Sequence, residues 1–154
     1  EQTAKGYPGV AAATGVGRAR GLGTVDVYVA TAAGSPEEDL LEEIEADLQK
    51  KREIAVDLQV LAPEEETVNI AVAIRAAQGY PFQTAQAAAD AALRGYFTGA
   101  LLGKPVTLAA LGNLLYDLES VENYHFTAPA ADVAAEVGNL PVLGTLTISE
   151  MEAD

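Results

Sequence analysis

The sequence predicts an α+β chain of two small consecutive α/β subdomains, β-β-α-β and then β-α-α-β-β, with helices packed on small mixed or antiparallel sheets. Three observations lead there. Several short runs alternate apolar with polar residues, the period of a half-buried strand. Other stretches repeat their apolar residues at helical spacing. An acidic connector with a proline, Ala62-Pro63-Glu64-Glu65-Glu66, separates the two series. The 154 residues suit one domain or two small ones, and 49% hydrophobic against 21% charged residues provides for a core of ordinary size.

Glu1 to Thr14 shows no stable period, with a turn at Tyr7-Pro8-Gly9, and is read as a partly ordered arm. Two paired strands are expected next. In the first, Val16, Arg18 and Arg20 alternate with small residues; in the second, Thr24 to Ala30, Val25, Val27 and Val29 share a face. Thr24, Asp26 and Tyr28 face the other way. Ser35, Pro36 and Glu38 have the spacing of a capping box with proline at the first helical position. The helix so begun carries Leu40, Leu41, Ile44 and Leu48 as its apolar stripe and stops near Arg52, with Glu37, Glu38 and Asp39 at its start and Lys50, Lys51 and Arg52 at its end. Val56, Leu58 and Val60 then alternate with Asp57 and Gln59 in a third strand.

The boundary between subdomains is placed in the acidic connector, after which Thr67 opens a strand with Val68, Ile70, Val72 and Ile74 on one face. Thr84 is read as the N-cap of a helix carrying Ala88, Ala89, Ala92, Leu93, Tyr96, Phe97, Ala100 and Leu101, ended by Gly103-Lys104-Pro105. Thr107 caps a shorter helix with Leu108, Leu111, Leu115 and Leu118. A strand from Val121 to Thr127, a surface loop from Ala128 to Asn139 and a last strand from Val142 to Ile148 complete the pattern. The division is thus an arm over 1–14, a first subdomain over 15–63 and a second over 64–154.

Composition excludes several kinds of chemistry. The 23 Asp plus Glu against 9 Lys plus Arg give a net charge of −14, and the isoelectric point is near 4.2. Nucleic acid and anionic membranes are poor partners for such a chain, because binding them rests on many cationic contacts. No window approaches the roughly 18 uncharged apolar residues of a membrane span, and the N-terminus lacks a signal-peptide pattern, so a soluble chain is expected. Cysteine is absent and His125 is the only histidine. Disulfides, thiolate sites and sites of several imidazoles are therefore excluded. A Ser/His/acid triad would have to recruit His125 with Ser35, Ser120 or Ser149, none of which stands in a nucleophile-elbow sequence. Gly15-Val16-Gly17-Arg18-Ala19-Arg20-Gly21 departs from a dinucleotide fingerprint by one position and is followed by a strand, so its glycines are read as strand ends and bulges. The acids lack calcium-loop spacing. No catalytic residue, metal, cofactor or small-molecule substrate is expected.

Contact residues are the better candidates, since tyrosine and other aromatics are enriched at protein interfaces. Tyr28, Tyr80, Phe82 and Tyr124 are named on that ground, with Tyr28 foremost because it faces away from the valines. His125 joins them as an interface histidine, placed by alternation on the face opposite Tyr124 and Phe126.

Taken in order, a series of blocks resembles the C-terminal region of the baseplate J-like proteins of contractile-tailed phages and prophages. The blocks are Pro8-Gly9-Val10, Gly15 to Gly21, Gly23-Thr24-Val25-Asp26-Val27-Tyr28-Val29, the Leu40 to Arg52 helix, Val56 to Pro63, and Thr67 to Ile74. They continue with the Ala-rich helix ending Tyr96-Phe97, Gly103 to Leu111, Val121-Glu122-Asn123-Tyr124, Ala128-Pro129, and Leu143-Gly144-Thr145-Leu146-Thr147-Ile148. The resemblance implies a structural wedge component of the virion tail baseplate, assembled in the bacterial host cytoplasm, whose partners are other copies of itself and other wedge and tail proteins. It brings no catalytic residues. The chain starts at Glu1 and its one methionine is Met151, so it is expected to be a piece of a longer polypeptide. The alternatives are a tail-associated glycan-binding or hydrolase domain, or the equivalent subunit of a non-phage contractile injection system.

Overall fold

The structure, a computed structural model, describes residues 2–52 and 55–152. A short helix α1 (Gln2–Lys5) leads into strands β1 (Val10–Gly17) and β2 (Thr24–Thr31), helix α2 (Glu38–Lys51) and strand β3 (Asp57–Leu61). These three strands form a sheet in the order β1-β2-β3. β1 runs antiparallel to β2, with Ala13 opposite Val29. β3 runs parallel to β2, with Val60 beside Val27, which the crossover through α2 permits. The apolar stripe of α2 behaves as its spacing predicts: Ile44 and Leu48 are buried with Val27, Val29 and Val60, and Leu40 and Leu41 pack against them. Burying each large aliphatic side chain contributes about 1.5–3 kcal/mol.

Three details of this half differ from the sequence reading. Residues 1–14 were expected to be an arm, yet α1 and the first half of β1 occupy most of that stretch, because Ala4 and Ala13 are fully buried in the first core. The first strand ends at Gly17 rather than continuing through Arg20. Arg18 has φ 62° and Gly21 and Gly23 have φ 123° and 79°, so the chain reverses there. The Ser35 capping box does not form: Ser35 Oγ donates to Glu65 Oε1 at 2.9 Å, and the helix starts at Glu38 after Glu37, without a side-chain cap.

The second half contains β4 (Glu64–Ala76), α3 (Phe82–Tyr96), a 3-10 turn (Gly99–Leu101), α4 (Leu108–Tyr116), β5 (Val121–Ala128) and β6 (Asn139–Glu150). Their sheet has the order β5-β4-β6. Val68, Ile70, Val72 and Ile74 of β4 are all buried, as alternation requires. β5 is antiparallel, with Tyr124 opposite Ile74 and Phe126 opposite Val72. On the other side Thr145 N–H donates to Asn69 Oδ1 at 2.9 Å and Met151 N–H to the Ile74 carbonyl at 2.9 Å. Both contacts advance in the same sense, so β6 runs parallel to β4 and this sheet is also mixed.

Here too boundaries move. β4 begins at Glu64, three residues before Thr67, because Glu64 N–H finds the Gly138 carbonyl at 3.0 Å and the acidic run continues as strand. α3 starts at Phe82 after Pro81, not at a Thr84 cap, and ends at Tyr96. The 3-10 turn that follows is set by a close approach, since a Cβ on Gly99 would lie 1.7 Å from the Thr31 carbonyl oxygen. Thr107 does cap α4, its Oγ1 accepting from Ala110 N–H at 3.1 Å, with Asp132 Oδ1 accepting from Leu108 N–H at 2.7 Å. The expected surface loop over residues 128–139 is only partly one: Val133 bridges to Val106, and Gly138 and Leu140 are buried.

Two compact units divide the chain, and they are interleaved rather than consecutive. One comprises Glu1–Glu66, Thr98–Lys104 and Ala135–Leu140; the other comprises Thr67–Phe97, Pro105–Ala134 and Pro141–Asp154. The two small pieces of the first unit are held there by backbone bonds, Glu64 N–H to Gly138 and Gly103 N–H to Asn139, the latter at 2.8 Å.

Candidate interaction surfaces

In the first unit the chain reversal between β1 and β2 is fixed by ion pairs and side-chain hydrogen bonds. Arg20 joins both neighbouring strands: its Nε meets Asp26 Oδ1 at 2.7 Å, one terminal nitrogen meets Asp57 Oδ2 at 2.5 Å, and the other donates to the Asp57 carbonyl at 3.4 Å. Asp26 is buried, so its charge requires this partner. The two carboxylates push the Arg20 guanidinium above its already high ordinary pKa, the hydrogen bond that Arg20 donates to Asp26 being the largest cause. Thr24 Oγ1 donates to the Gly21 carbonyl at 2.7 Å and accepts from Arg20 N–H at 3.1 Å. The turn so fixed presents Leu22 to solvent, 85% exposed.

A second polar cluster ties the turn between α1 and β1 to α2. The Tyr7 hydroxyl donates to Asp47 Oδ2, which also receives Lys51 Nζ at 2.7 Å. The bond to Asp47, aided by burial and by the charges of Asp47 and Glu43, pushes the Tyr7 phenol up to about 12. Lys51 first and Tyr7 second hold the Asp47 carboxyl below its ordinary value. Burial alone raises Tyr96.

The five residues named from the sequence take different places. Tyr28 lies on the face of β2 opposite Val27 and Val29, but its ring is half-buried over Gly138, where an added Cβ would be 3.0–3.1 Å from ring carbons. Tyr80 is exposed in the turn before α3, its N–H donating to the Ala77 carbonyl at 3.0 Å. Phe82 is the first residue of α3 and half-buried. Tyr124 turns inward, its ring against Gly112 of α4 and edge-on to Phe126 at 5.5 Å. His125 is exposed on the opposite face of β5, between Asn123 and Thr127, which are also exposed. Tyr28 belongs to the first unit and the other four to the second. Tyr124 and His125 thus point in opposite directions.

Sequence reasoning passed over Leu22 and Val137 as contact residues, although Val137 is 66% exposed. For Leu22 the available signal was an apolar residue isolated between two turn glycines. Tyr116, at the end of α4, is 74% exposed. Gly15 and Gly17 stand in β1 and no helix follows them, so a phosphate would meet no helix N-terminus there. Among the described residues, no group of three or more His, Asp or Glu is placed to hold a metal ion, and no helix is long and apolar enough to cross a membrane.

The fold defines a class: an α+β chain with two small mixed sheets of three strands each. More particularly, the family model for the baseplate J-like protein C-terminal domain matches residues 68–149, over half of the chain, and the chain belongs to that family. No curated protein matches its sequence. Among solved structures, a chain in the cryo-EM structure of the anti-feeding prophage (AFP) baseplate, 6-fold symmetrised, has a similar fold, with a TM-score of 0.65 at 12% identity. That alignment covers 92% of this chain and 35% of the other, so the present chain spans about a third of its neighbour's length.

Proposed function

We propose that this chain is a structural, non-enzymatic part of the tail baseplate of a contractile phage or prophage. It acts as a wedge assembly module through contacts with other copies of itself and with other wedge and tail proteins. The observation that carries this reading is the family match over residues 68–149. The likeness of fold to a prophage baseplate chain supports it. The physical picture is of rigid sheets presenting exposed side chains such as Leu22, Tyr80 and His125, each contributing part of an interface. A standard interface buries roughly 800 Å² per partner, and closure of a ring lets individually weak contacts add up. The chain's place is then the virion baseplate, with assembly in the host cytoplasm beforehand.

A hydrolase reading finds less to stand on. The groove between α3 and β6 is lined by Gln83, Gln86, Ala87, Asp90, Leu146 and Ile148 and has one carboxylate, Asp90, already ion-paired with Arg94 at 2.8 Å. Two facing carboxylates are what glycoside hydrolysis requires.

Immunogold electron microscopy tests the proposal, using antibody against this chain on lysates of the source strain after prophage induction. Gold at the distal plate of contractile tails is the expected result. Intact particles that never label, with the antigen free in solution, would overturn it. The chain by itself is expected to sediment as a monomer or weak dimer, its further contacts requiring the rest of the assembly.

A further inference from the structure

We propose that the outer edge of β1 is a docking groove for an extended, acidic segment of another polypeptide, added to the first sheet as a further strand. The inference needs only the geometry of the first unit and not the baseplate role. β1 is the end strand of its sheet. In an antiparallel pair, residues that exchange backbone hydrogen bonds alternate with residues that do not. Arg18 N–H donates to the Thr24 carbonyl at 2.7 Å, and in the continuing register Val16 faces Asp26, Thr14 faces Tyr28 and Ala12 faces Ala30. These residues direct their backbone groups at β2. Ala13, Gly15 and Gly17, which alternate with them, direct theirs outward.

A groove of about 240 Å³ opens along this edge, lined by Ala11, Ala12, Ala13 and Thr14 together with Lys5, Ala100, Leu102 and Lys104. Consecutive strand residues point to opposite faces, so a groove touching four in a row follows the edge and not a face. Its walls come from opposite layers. α1, which carries Lys5, lies on the side of the first core, where Ala4 packs with Ala13. The 3-10 turn lies on the other side, with Gly99 against Ala30 and Thr31. Small side chains at Ala11 to Ala13 leave room for a backbone at the usual strand spacing of about 4.8 Å.

The opposite edge of the same sheet is already used by its own chain. Gln49 Nε2 donates to the Leu58 carbonyl at 2.7 Å, and Glu45 Oε2 accepts from Val60 N–H at 3.0 Å, both from α2 onto β3.

Charge selects the occupant. In a chain with 9 basic and 23 acidic residues, two lysines and, among the described residues, no acid line this groove. The Lys104 ammonium has no ion pair among the described residues, while Arg20, Lys51 and Arg94 all do. Two copies joined edge to edge would set lysines against lysines, a recognised way of discouraging self-pairing. An acidic strand meets the reverse situation, with main-chain bonds supplying affinity and the lysines supplying selection.

The test uses the whole chain, labelled with nitrogen-15, and a capped ten-residue peptide alternating glutamate with valine and threonine. A matched peptide has lysine at every glutamate. The glutamate peptide is expected to shift and protect the amides of Ala13, Gly15 and Gly17, and the shifts should shrink as salt is raised. In a K5E/K104E double variant, whose altered side chains are both exposed, binding should fall about tenfold or more while circular dichroism stays unchanged. Equal shifts from both peptides, shifts confined to other strands, or none at millimolar peptide would each overturn the proposal.

Discussion

β2 in the first sheet and β4 in the second each stand between one antiparallel and one parallel neighbour, yet the two strands are held in place by different chemistry. β2 carries a buried acid, Asp26, whose partner Arg20 reaches from the adjoining turn and also grips Asp57 on β3. Its register depends on charge as well as on valines. β4 buries four aliphatic residues in strict alternation, Val68, Ile70, Val72 and Ile74. Close approaches differ in the same way. Gly99 in the first unit abuts a backbone carbonyl, whereas Gly112 in the second abuts the ring of Tyr124. Where the neighbour is backbone the structure cannot yield; where it is a side chain, it can.

The comparison can be broken first at the cores, which should behave alike. Ile44→Ala in the first unit and Ile74→Ala in the second each leave a cavity at a fully buried site, and each should cost about 2–5 kcal/mol in urea unfolding. A tenfold smaller effect in one would mean that the units do not both rest on their aliphatic cores. The glycines sharpen the contrast. Gly99→Ala, driven into the Thr31 carbonyl, should cost about 3 kcal/mol. Gly112→Ala should cost about 1 kcal/mol, because the gain in helix propensity offsets part of the displaced Tyr124 ring. Combined with Tyr124→Ala, it should become neutral or stabilising; additivity in that double-mutant cycle would disprove the contact.

Arg20→Ala leaves Asp26 buried without its partner and should lower the thermal midpoint by a few degrees, and Asp57→Ala by less, since Asp57 is exposed. Smallest is the effect of pH on the Tyr7 and Asp47 pair. Tyr7 is raised from an ordinary value of 10.0 to about 12. Its contribution is therefore complete below pH 10 and lost as pH rises through 12. Asp47 is lowered from 3.8, so its contribution is present above that value and lost as pH falls through the lower folded one. Ultraviolet titration should find two of the six tyrosines ionising late, Tyr96 and above all Tyr7. Asp47→Asn should bring Tyr7 back toward 10.

Much of the fold was legible because it rests on local periodicity. The alternation of Val68 to Ile74, the stripe of α2 and the Thr107 cap all depend on neighbours within a few residues. The Ser35 capping box did not form although its spacing was right: the helix begins only at Glu38, and the Ser35 hydroxyl donates to Glu65, thirty residues away. The 3-10 turn after α3 brings Gly99 against Thr31, a contact of high sequence separation that no window reveals. Alternation put Tyr124 and His125 on opposite faces of β5 but did not say that the Tyr124 face is the inward one. It could not show that Gly138 would cover the ring of Tyr28, which is 110 positions away in the chain. The groove beside β1 was illegible for the same reason, since Lys5, Ala11 to Thr14 and Lys104 meet only in the folded unit.

The interleaving of the two units bears on how such a chain can be inherited. The backbone passes from one unit to the other after residues 66, 97, 104, 134 and 140. A single genetic crossover anywhere between 66 and 140 therefore gives a hybrid in which at least one unit combines segments from two parents. Even the family-matched segment 68–149 contains two pieces of the first unit. Block exchange between distant relatives is thereby penalised, and the two units are bound to diverge together, as a single heritable module.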